Sequence, residues 1–200
     1  MTQSHNTGDE GDSLRLSGTV DASMIYGPGR RFVIWVQGCS LGCPGCWNIE
    51  LWPAEGGHSV SVSDLLTDIS KAGGIEGVTI LGGEPLEQAK SVLSLIRGIR
   101  EMDLTVMLYS GFEEHELDDT QKDCVESSDI VILGRYVSSL RDTTLRWRGS
   151  SNQVIKMVSD AYQGLEIEER NEGEGIIDKD GSLTLLGYPS AEVRSWVQGI

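Results

Sequence analysis

Four short apolar runs limit what this chain can fold into. Arg31–Gln37, Gly77–Leu81, Leu104–Tyr109 and Asp129–Leu133 are each almost continuously apolar. A strand with one wet face alternates apolar and polar residues, whereas an unbroken run marks a strand covered on both faces, the habit of parallel sheets. Helical periods lie between them. Ser61 or Ser63 is placed to N-cap a helix reaching about Lys71, with Leu65, Leu66, Ile69 and Ala72 on one face. Leu86, Ala89, Val92, Leu93, Ile96 and Ile99 recur at helical spacing as far as Met102, and a short polar helix follows the third run. Strands alternating with helices predict a parallel βαβ series. Leu14–Val20 alternates and reads as an edge strand, and Gln153–Val158 offers a fifth strand. The second, third and fourth runs end in Gly82-Gly83, Ser110-Gly111 and Gly134-Arg135. In α/β folds the loops at this edge converge, and ligands bind there.

The loop after the first run carries the chemistry. Cys39-Ser-Leu-Gly-Cys43-Pro-Gly-Cys46-Trp47-Asn48 holds three of the four cysteines at C-x3-C-x2-C spacing. Thiolates are soft ligands, and a close cysteine cluster selects zinc or an iron–sulfur cluster. A structural zinc wants four protein ligands in a closed tetrahedron. Three cysteines in one tight loop suit a [4Fe–4S] cube with one iron left open, and an open position is what a catalytic metal needs. Cys124 stands apart in a polar, helical stretch and reads as a structural thiol. Trp47 reads either as a shield for the cluster or as an ordinary buried aromatic. The scattered His5, His58 and His115 suggest no role.

Composition narrows the class. In 200 residues there is room for one domain with a real core. A formal net charge of −15 argues against a nucleic-acid or anionic-membrane partner, although Arg135, Arg141, Arg146 and Arg148 make residues 135–148 locally basic. A polar, acidic N-terminus lacks the pattern of a secretory signal, no apolar run approaches a membrane span, and the cysteine usage fits a reducing compartment; a cytoplasmic location is expected.

The cysteine loop closely resembles the signature of the radical S-adenosylmethionine (SAM) enzymes. Gly82-Gly83-Glu84-Pro85, at the end of the next strand, is similar to their Gly-Gly-Glu motif. The resemblance implies a [4Fe–4S] cluster bound by Cys39, Cys43 and Cys46, whose open iron is chelated by the amino and carboxylate groups of SAM. One electron then cleaves SAM to methionine and a 5′-deoxyadenosyl radical, which abstracts a hydrogen atom from the substrate. The Gly-Gly-Glu-Pro turn would hold the SAM amino group. Ser110 would reach the ribose hydroxyls or the carboxylate, or is simply a small residue before a helix. Beyond cluster and SAM, no catalytic side chain is expected.

Trp147-Arg-Gly-Ser-Ser-Asn-Gln153, together with Gly27-Pro-Gly29 and Cys46-Trp47-Asn48, narrows the likeness further. These resemble the activating protein of anaerobic (class III) ribonucleoside-triphosphate reductase, over about Gly27 to Ile155. That implies an α/β fold, an incomplete (β/α) barrel of radical SAM type, over 14–160. The tail 1–13 is expected to be disordered. Residues 161–200 are expected to form a C-terminal extension: a hairpin of Leu165–Glu169 with Ser182–Leu186, then a short helix Ser190–Val197. The implied partners are a large glycyl-radical reductase subunit and a flavodoxin-like or ferredoxin-like electron donor. Trp47 and Asn48 would sit at the cofactor, and Arg146 and Arg148 would bind the SAM carboxylate or the partner's loop. Two other readings stay open: a stand-alone radical SAM enzyme acting on a small metabolite or peptide, and a non-enzymatic zinc- or cluster-binding module.

Overall fold

A computed structural model describes residues 12–170, 172–177, 179–187, 192, 193 and 195. Residues 1–11 of the expected tail and most of the expected terminal helix lie outside these. The strands are β1 (Ser13–Ser23), β2 (Arg31–Val36), β3 (His58–Ser61), β4 (Gly77–Gly82), β5 (Thr105–Ser110), β6 (Ile130–Leu133) and β7 (Val154–Met157), in one sheet of order β3-β1-β2-β4-β5-β6-β7. The four apolar runs are β2, β4, β5 and β6, and they pair in parallel as the alternation with helices required. The helices are α1 (Val62–Ala72), α2 (Ala89–Glu101) and α3 (Asp119–Glu126).

Successive residues of a strand point to opposite faces, and the two faces here differ. Phe32, Ile34, Val36, Val78, Ile80, Val106, Leu108, Val131 and Leu133 pack with the apolar stripes of α1, α2 and α3 in one continuous core. On the opposite face Met107, Ile130 and Ile132 meet Trp147, with Tyr109, Ile155, Tyr162 and Ile167 packed around them. No α-helix covers this second face among the described residues. It is built from loops and from the segment C-terminal to β7.

Local chemistry explains the helix starts. Ser61 is the cap of α1, its side chain accepting from the Asp64 amide at 3.0 Å. Asp118 and Gln121 form a reciprocal capping box on α3. The expected helix at Leu86 begins later, because Pro85–Gln88 makes a 3-10 turn before α2. Cys124 is buried in the core with its thiol against the Ala89 carbonyl at 3.3 Å, and burial pushes its pKa up to about 12, as suits a structural thiol.

Four expectations need correction. Leu14–Val20 is an edge only in part: β3 pairs outside β1 over Ser13–Leu16, with four residues that are too short to show a period in the sequence. Ser13 belongs to β1 and not to a tail. The fifth strand of the series, β7, runs antiparallel to β6. A parallel return would need a crossover, usually helical, whereas residues 134–153 stay at the C-terminal edge of the sheet and feed β7 straight back from Leu133 opposite Val154. The hairpin exists, but its strands are β8 (Gly173–Ile177) and β9 (Leu183–Gly187), not Leu165–Glu169 with its partner. The turn at Asp180-Gly181 pairs the residues flanking it closely, which places the first strand directly before it.

The opposite end of the sheet is tied by a buried cation. Arg31, fully buried at the start of β2, donates to Thr79 Oγ1 (2.7 Å), to the carbonyls of Val78 (2.8 Å), Thr105 (3.1 Å) and Pro28 (3.2 Å), and to the hydroxyls of Thr105 (3.1 Å) and Tyr162 (3.2 Å). Burial lowers its pKa, yet an arginine retains its proton. Its charge is spread over oxygens of β4, β5 and the segment after β7. Arg31→Met should therefore leave several buried acceptors unsatisfied and cost about 3 kcal/mol, read from urea unfolding; a loss under about 1 kcal/mol would show that the network is not needed.

Candidate functional site

The loops after β2, β4, β5 and β6 meet around one cavity of about 210 Å³ at the C-terminal edge of the sheet. Cys39, Cys43, Cys46, Trp47, Asn48, Gly82, Gly83, Glu84, Ser110, Arg146 and Arg148 all line it. Pro85 does not. It is buried at the first position of the 3-10 turn, where a proline lacks no needed amide hydrogen.

The cysteine loop is framed by its own chain. The Gly38 and Cys39 amides donate to the carbonyls of Leu51 (2.9 Å) and Trp52 (3.1 Å), and the Cys46 amide turns back to Cys43 O (3.0 Å). Glu87 clamps it from the neighbouring loop, accepting from the Ser40 amide (2.8 Å) and hydroxyl (2.6 Å). All three thiols are half-buried. Burial pushes the Cys39 thiol pKa up, Glu84 and Glu87 add to this, and the amides of Leu41 and Gly42 oppose it. Nothing in the loop alone makes that thiol ionise, so a metal must displace its proton on binding.

Two glycines join this loop to the next. The amides of Gly83 and Glu84 donate to the carbonyls of Val36 and Gly38, both at 2.8 Å. A Cβ at Gly83 would lie 2.2 Å from the Gly38 carbonyl oxygen, and one at Gly82 2.6 Å from the Val36 nitrogen. Gly82 also has φ +115°, in the region that favours glycine. A turn that holds the SAM amino group, as the resemblance implies, would need glycine for close approach of the ligand. The structure gives a nearer reason, the approach of two backbones.

Glu84 makes the next join. Only 1% exposed, it accepts from the Leu86 amide (2.9 Å), the Ser110 hydroxyl (2.8 Å) and the Gly111 amide (2.7 Å), so it fixes its own turn and the end of β5 together. Burial pushes its pKa up to about 7 despite these three donors. Ser110 gives its proton to Glu84 and accepts from the Phe112 amide (3.0 Å).

The loop 134–153 carries the polar run Ser150-Ser-Asn-Gln153. Its side chains hold the loop itself. Gln153 accepts from the Gly149 amide (2.8 Å) and Ser150 amide (3.2 Å) and donates to Gly134 O (3.0 Å); Asn152 donates to Arg135 O (2.8 Å); Ser150 Oγ accepts from the Val137 amide (3.1 Å). Trp147 takes a left-handed φ of 63° within it. Arg146 Nε donates to Glu172 (3.0 Å), and Arg148 pairs with Glu169. These carboxylates belong to the C-terminal extension, whose Arg170, Glu172 and Gly187 also line the cavity. Sequence reading missed that contribution, since nothing local in an acidic stretch reveals which arginines it will meet.

The donor set fits an iron–sulfur cluster better than one zinc ion. A structural zinc wants four protein ligands in a closed tetrahedron, and the cavity presents three thiols. A cube offers a separate iron to each thiolate. The wall beside the thiols also holds two buried donors without partners, Trp147 Nε1 and Arg148 Nε.

Comparison with known proteins agrees with this donor set. The 4Fe-4S single cluster domain family matches residues 25–156, from just before β2 to the end of β7. An anaerobic ribonucleoside-triphosphate reductase-activating protein of Vibrio cholerae is 32% identical over 143 residues, covering 66% of this chain and 90% of that protein. The protein of the same name from Escherichia coli K12 is 31% identical over 143 residues, covering 91% of its length. Pyruvate formate-lyase 1-activating enzyme of Escherichia coli K12 is 32% identical over 128 residues, 60% of this chain and 49% of that one. The fold and site thus define a [4Fe–4S] radical SAM domain. This chain belongs to the family of anaerobic ribonucleoside-triphosphate reductase-activating proteins. Its cofactors are accordingly a [4Fe–4S] cluster and SAM.

Two variants test the site's construction. Gly83→Ala must push apart two backbones, so it should cost about 2 kcal/mol and lower the iron retained per chain, whereas Gly18→Ala, with nothing within 4 Å of the added carbon, should leave iron content unchanged. Equal iron content in both would separate the glycines from the cysteine loop. Glu84 gives a pH signature. Its carboxyl ionises near pH 7 when folded but near 4.3 when unfolded, so between those values the unfolded state binds fewer protons and stability falls as pH rises. The fall is about 4 kcal/mol at most. Glu84→Gln should flatten the stability slope between about pH 4.5 and 7; an unchanged slope would mean that Glu84 ionises normally.

Proposed function

We propose that this protein generates a glycyl radical on a large reductase subunit, abstracting the α-hydrogen of a glycine in a loop that enters the cavity. The observation that carries this is the meeting of three half-buried thiols with the Gly82-Gly83-Glu84 turn on one cavity, in a chain of the activating-protein family. When bound, cluster and SAM supply a 5′-deoxyadenosyl radical after one-electron reduction.

The chain's own residues bind and orient. Cys39, Cys43 and Cys46, which line the cavity, would each hold one iron of the cluster. The amides of Gly83 and Glu84 are engaged with Val36 and Gly38, so what that turn offers a ligand is carbonyl oxygen, an acceptor suited to the SAM ammonium group. Ser110 acts through Glu84, keeping the turn in register. Trp47, 38% exposed, and Asn48 line the cavity with the thiols and would limit water at the cluster. Transfer from a primary carbon radical to a glycine stabilised on both sides is downhill, so no acid–base residue is required, and the demand is for orientation and exclusion of water.

The helix-free face and the linear strand order support reading the sheet as an incomplete barrel, open beside the site. That opening suits a macromolecular loop. The electron donor is a flavodoxin-like or ferredoxin-like protein, and the reducing compartment that preserves three free thiols is the cytoplasm. No described helix is long and apolar enough to cross a membrane. A second reading, a stand-alone enzyme on a small substrate, draws support from one observation: Arg170, Glu172 and Gly187 of the extension form part of the cavity wall, which would enclose a small molecule.

An anaerobic experiment tests this. The cluster-loaded, reduced protein with SAM and the reductase subunit should give a glycyl doublet in EPR and release 5′-deoxyadenosine. Cys43→Ala should lose both, with its iron. Steady 5′-deoxyadenosine without a doublet would favour the stand-alone enzyme, and a Cys43→Ala protein that keeps cluster and cleavage would overturn the ligand assignment.

A further inference from the structure

Four arginines line the cavity: Arg141, Arg146, Arg148 and Arg170. Three are neutralised by one segment. Arg146 pairs with Glu172, Arg148 with Glu169, and Arg170 with Glu168 (3.2 Å) and Glu172 (2.9 Å). The side chains of Arg146 and Arg148 are only 17% and 20% exposed, so these pairs are worth more than pairs on an open surface. All the acids lie in 168–172, beyond the stretch that the family model matches.

Arg141 differs. It forms no ion pair among the described residues, and its guanidinium carbon stands 5.1 Å from the centroid of the Trp47 ring. Trp47 follows Cys46 directly. The backbone under Arg141 is held from several sides: its amide donates to Ser138 O (3.3 Å), Leu140 O accepts from the Ser151 amide (2.9 Å), and Arg141 bridges to Ser150. The same segment abuts the cysteine loop, since a Cβ at Gly45 would lie 3.2 Å from Ser138 Cβ. One wall therefore runs from the thiols to Arg141. A guanidinium set over an indole face keeps the N–H groups of its edge available, and that edge matches a carboxylate.

We propose that Arg141, held over Trp47, receives the carboxylate of the cavity's ligand, and that Arg146 and Arg148 instead anchor the C-terminal extension. The inference rests on the radical SAM reading of the cavity. Two sources share this chemistry, the carboxylate of SAM and a carboxylate of the reductase loop beside the target glycine.

The test uses cluster-loaded protein and equilibrium binding of SAM and of decarboxylated SAM to wild type, Arg141→Gln, Arg141→Lys and Arg146→Gln. Arg141→Gln should weaken SAM about tenfold, the size of one charge-assisted pair, and should not weaken the decarboxylated analogue further. Arg141→Lys, keeping the charge without the planar fork, should fall between. Unchanged SAM affinity, with a raised KM for the reductase subunit at constant kcat, would assign the carboxylate to the partner. The proposal fails if Arg141→Gln moves neither quantity, if it weakens SAM and the analogue equally, or if Arg146→Gln carries the carboxylate-dependent loss instead. Wild-type protein that holds the cluster yet binds no SAM would remove the underlying reading as well, and iron analysis distinguishes that case from a failed loading.

Discussion

The site depends on one backbone contact. Where β2 and β4 end side by side, the Gly83 and Glu84 amides reach across to Val36 and Gly38, and the absence of side chains on Gly82 and Gly83 lets the strands stay that close. The cysteine loop begins one residue beyond Gly38. Its position is thus inherited from a sheet register, Val36 opposite Gly82, and not from the metal it holds. Glu84 extends the same linkage to β5 through Ser110 and Gly111. Three strand ends become one rigid rim, and a ligand bound at any of them meets the others already in place.

Much of this was legible because it repeats. Apolar runs without alternation announced β2, β4, β5 and β6, and α2 was visible in the spacing of Val92, Leu93, Ile96 and Ile99. The cysteine spacing and the Gly-Gly-Glu turn located the rim. What escaped lacked a period. The four residues of β3 carry no signal of their own, and the direction of β7 is set by a loop that never crosses the sheet. The first strand of the hairpin was misplaced by several residues because Leu165 and Ile167 suggested strand pattern, whereas Ile167 packs into the cluster around Trp147.

The polar run from Ser150 to Gln153 teaches a different lesson. It stood out in the sequence only as a family likeness, yet most of its donors and acceptors are spent on Gly134, Arg135, Val137 and their own loop. A loop of some twenty residues with only a 3-10 turn and one isolated bridge must satisfy its backbone somehow, and short amide and hydroxyl side chains do so locally. Arg146 and Arg148 of the same loop tell a parallel story, since their carboxylate partners arrive from a segment some twenty residues later in the chain. Composition identifies a basic loop; only the tertiary structure distinguishes a cation with a counter-ion from one without.

The half-buried state of the three thiols has a consequence for where such a protein can work. A rim open enough to admit a loop of another protein has no means of excluding a diatomic gas, which is smaller than anything the cavity must accept. Any iron held there with a free ligand position stands within reach of dissolved oxygen. Burying the thiols fully would protect them and would also shut out the partner. If a partner's loop enters as proposed, the architecture favours access, and protection from oxygen would have to come from the surroundings.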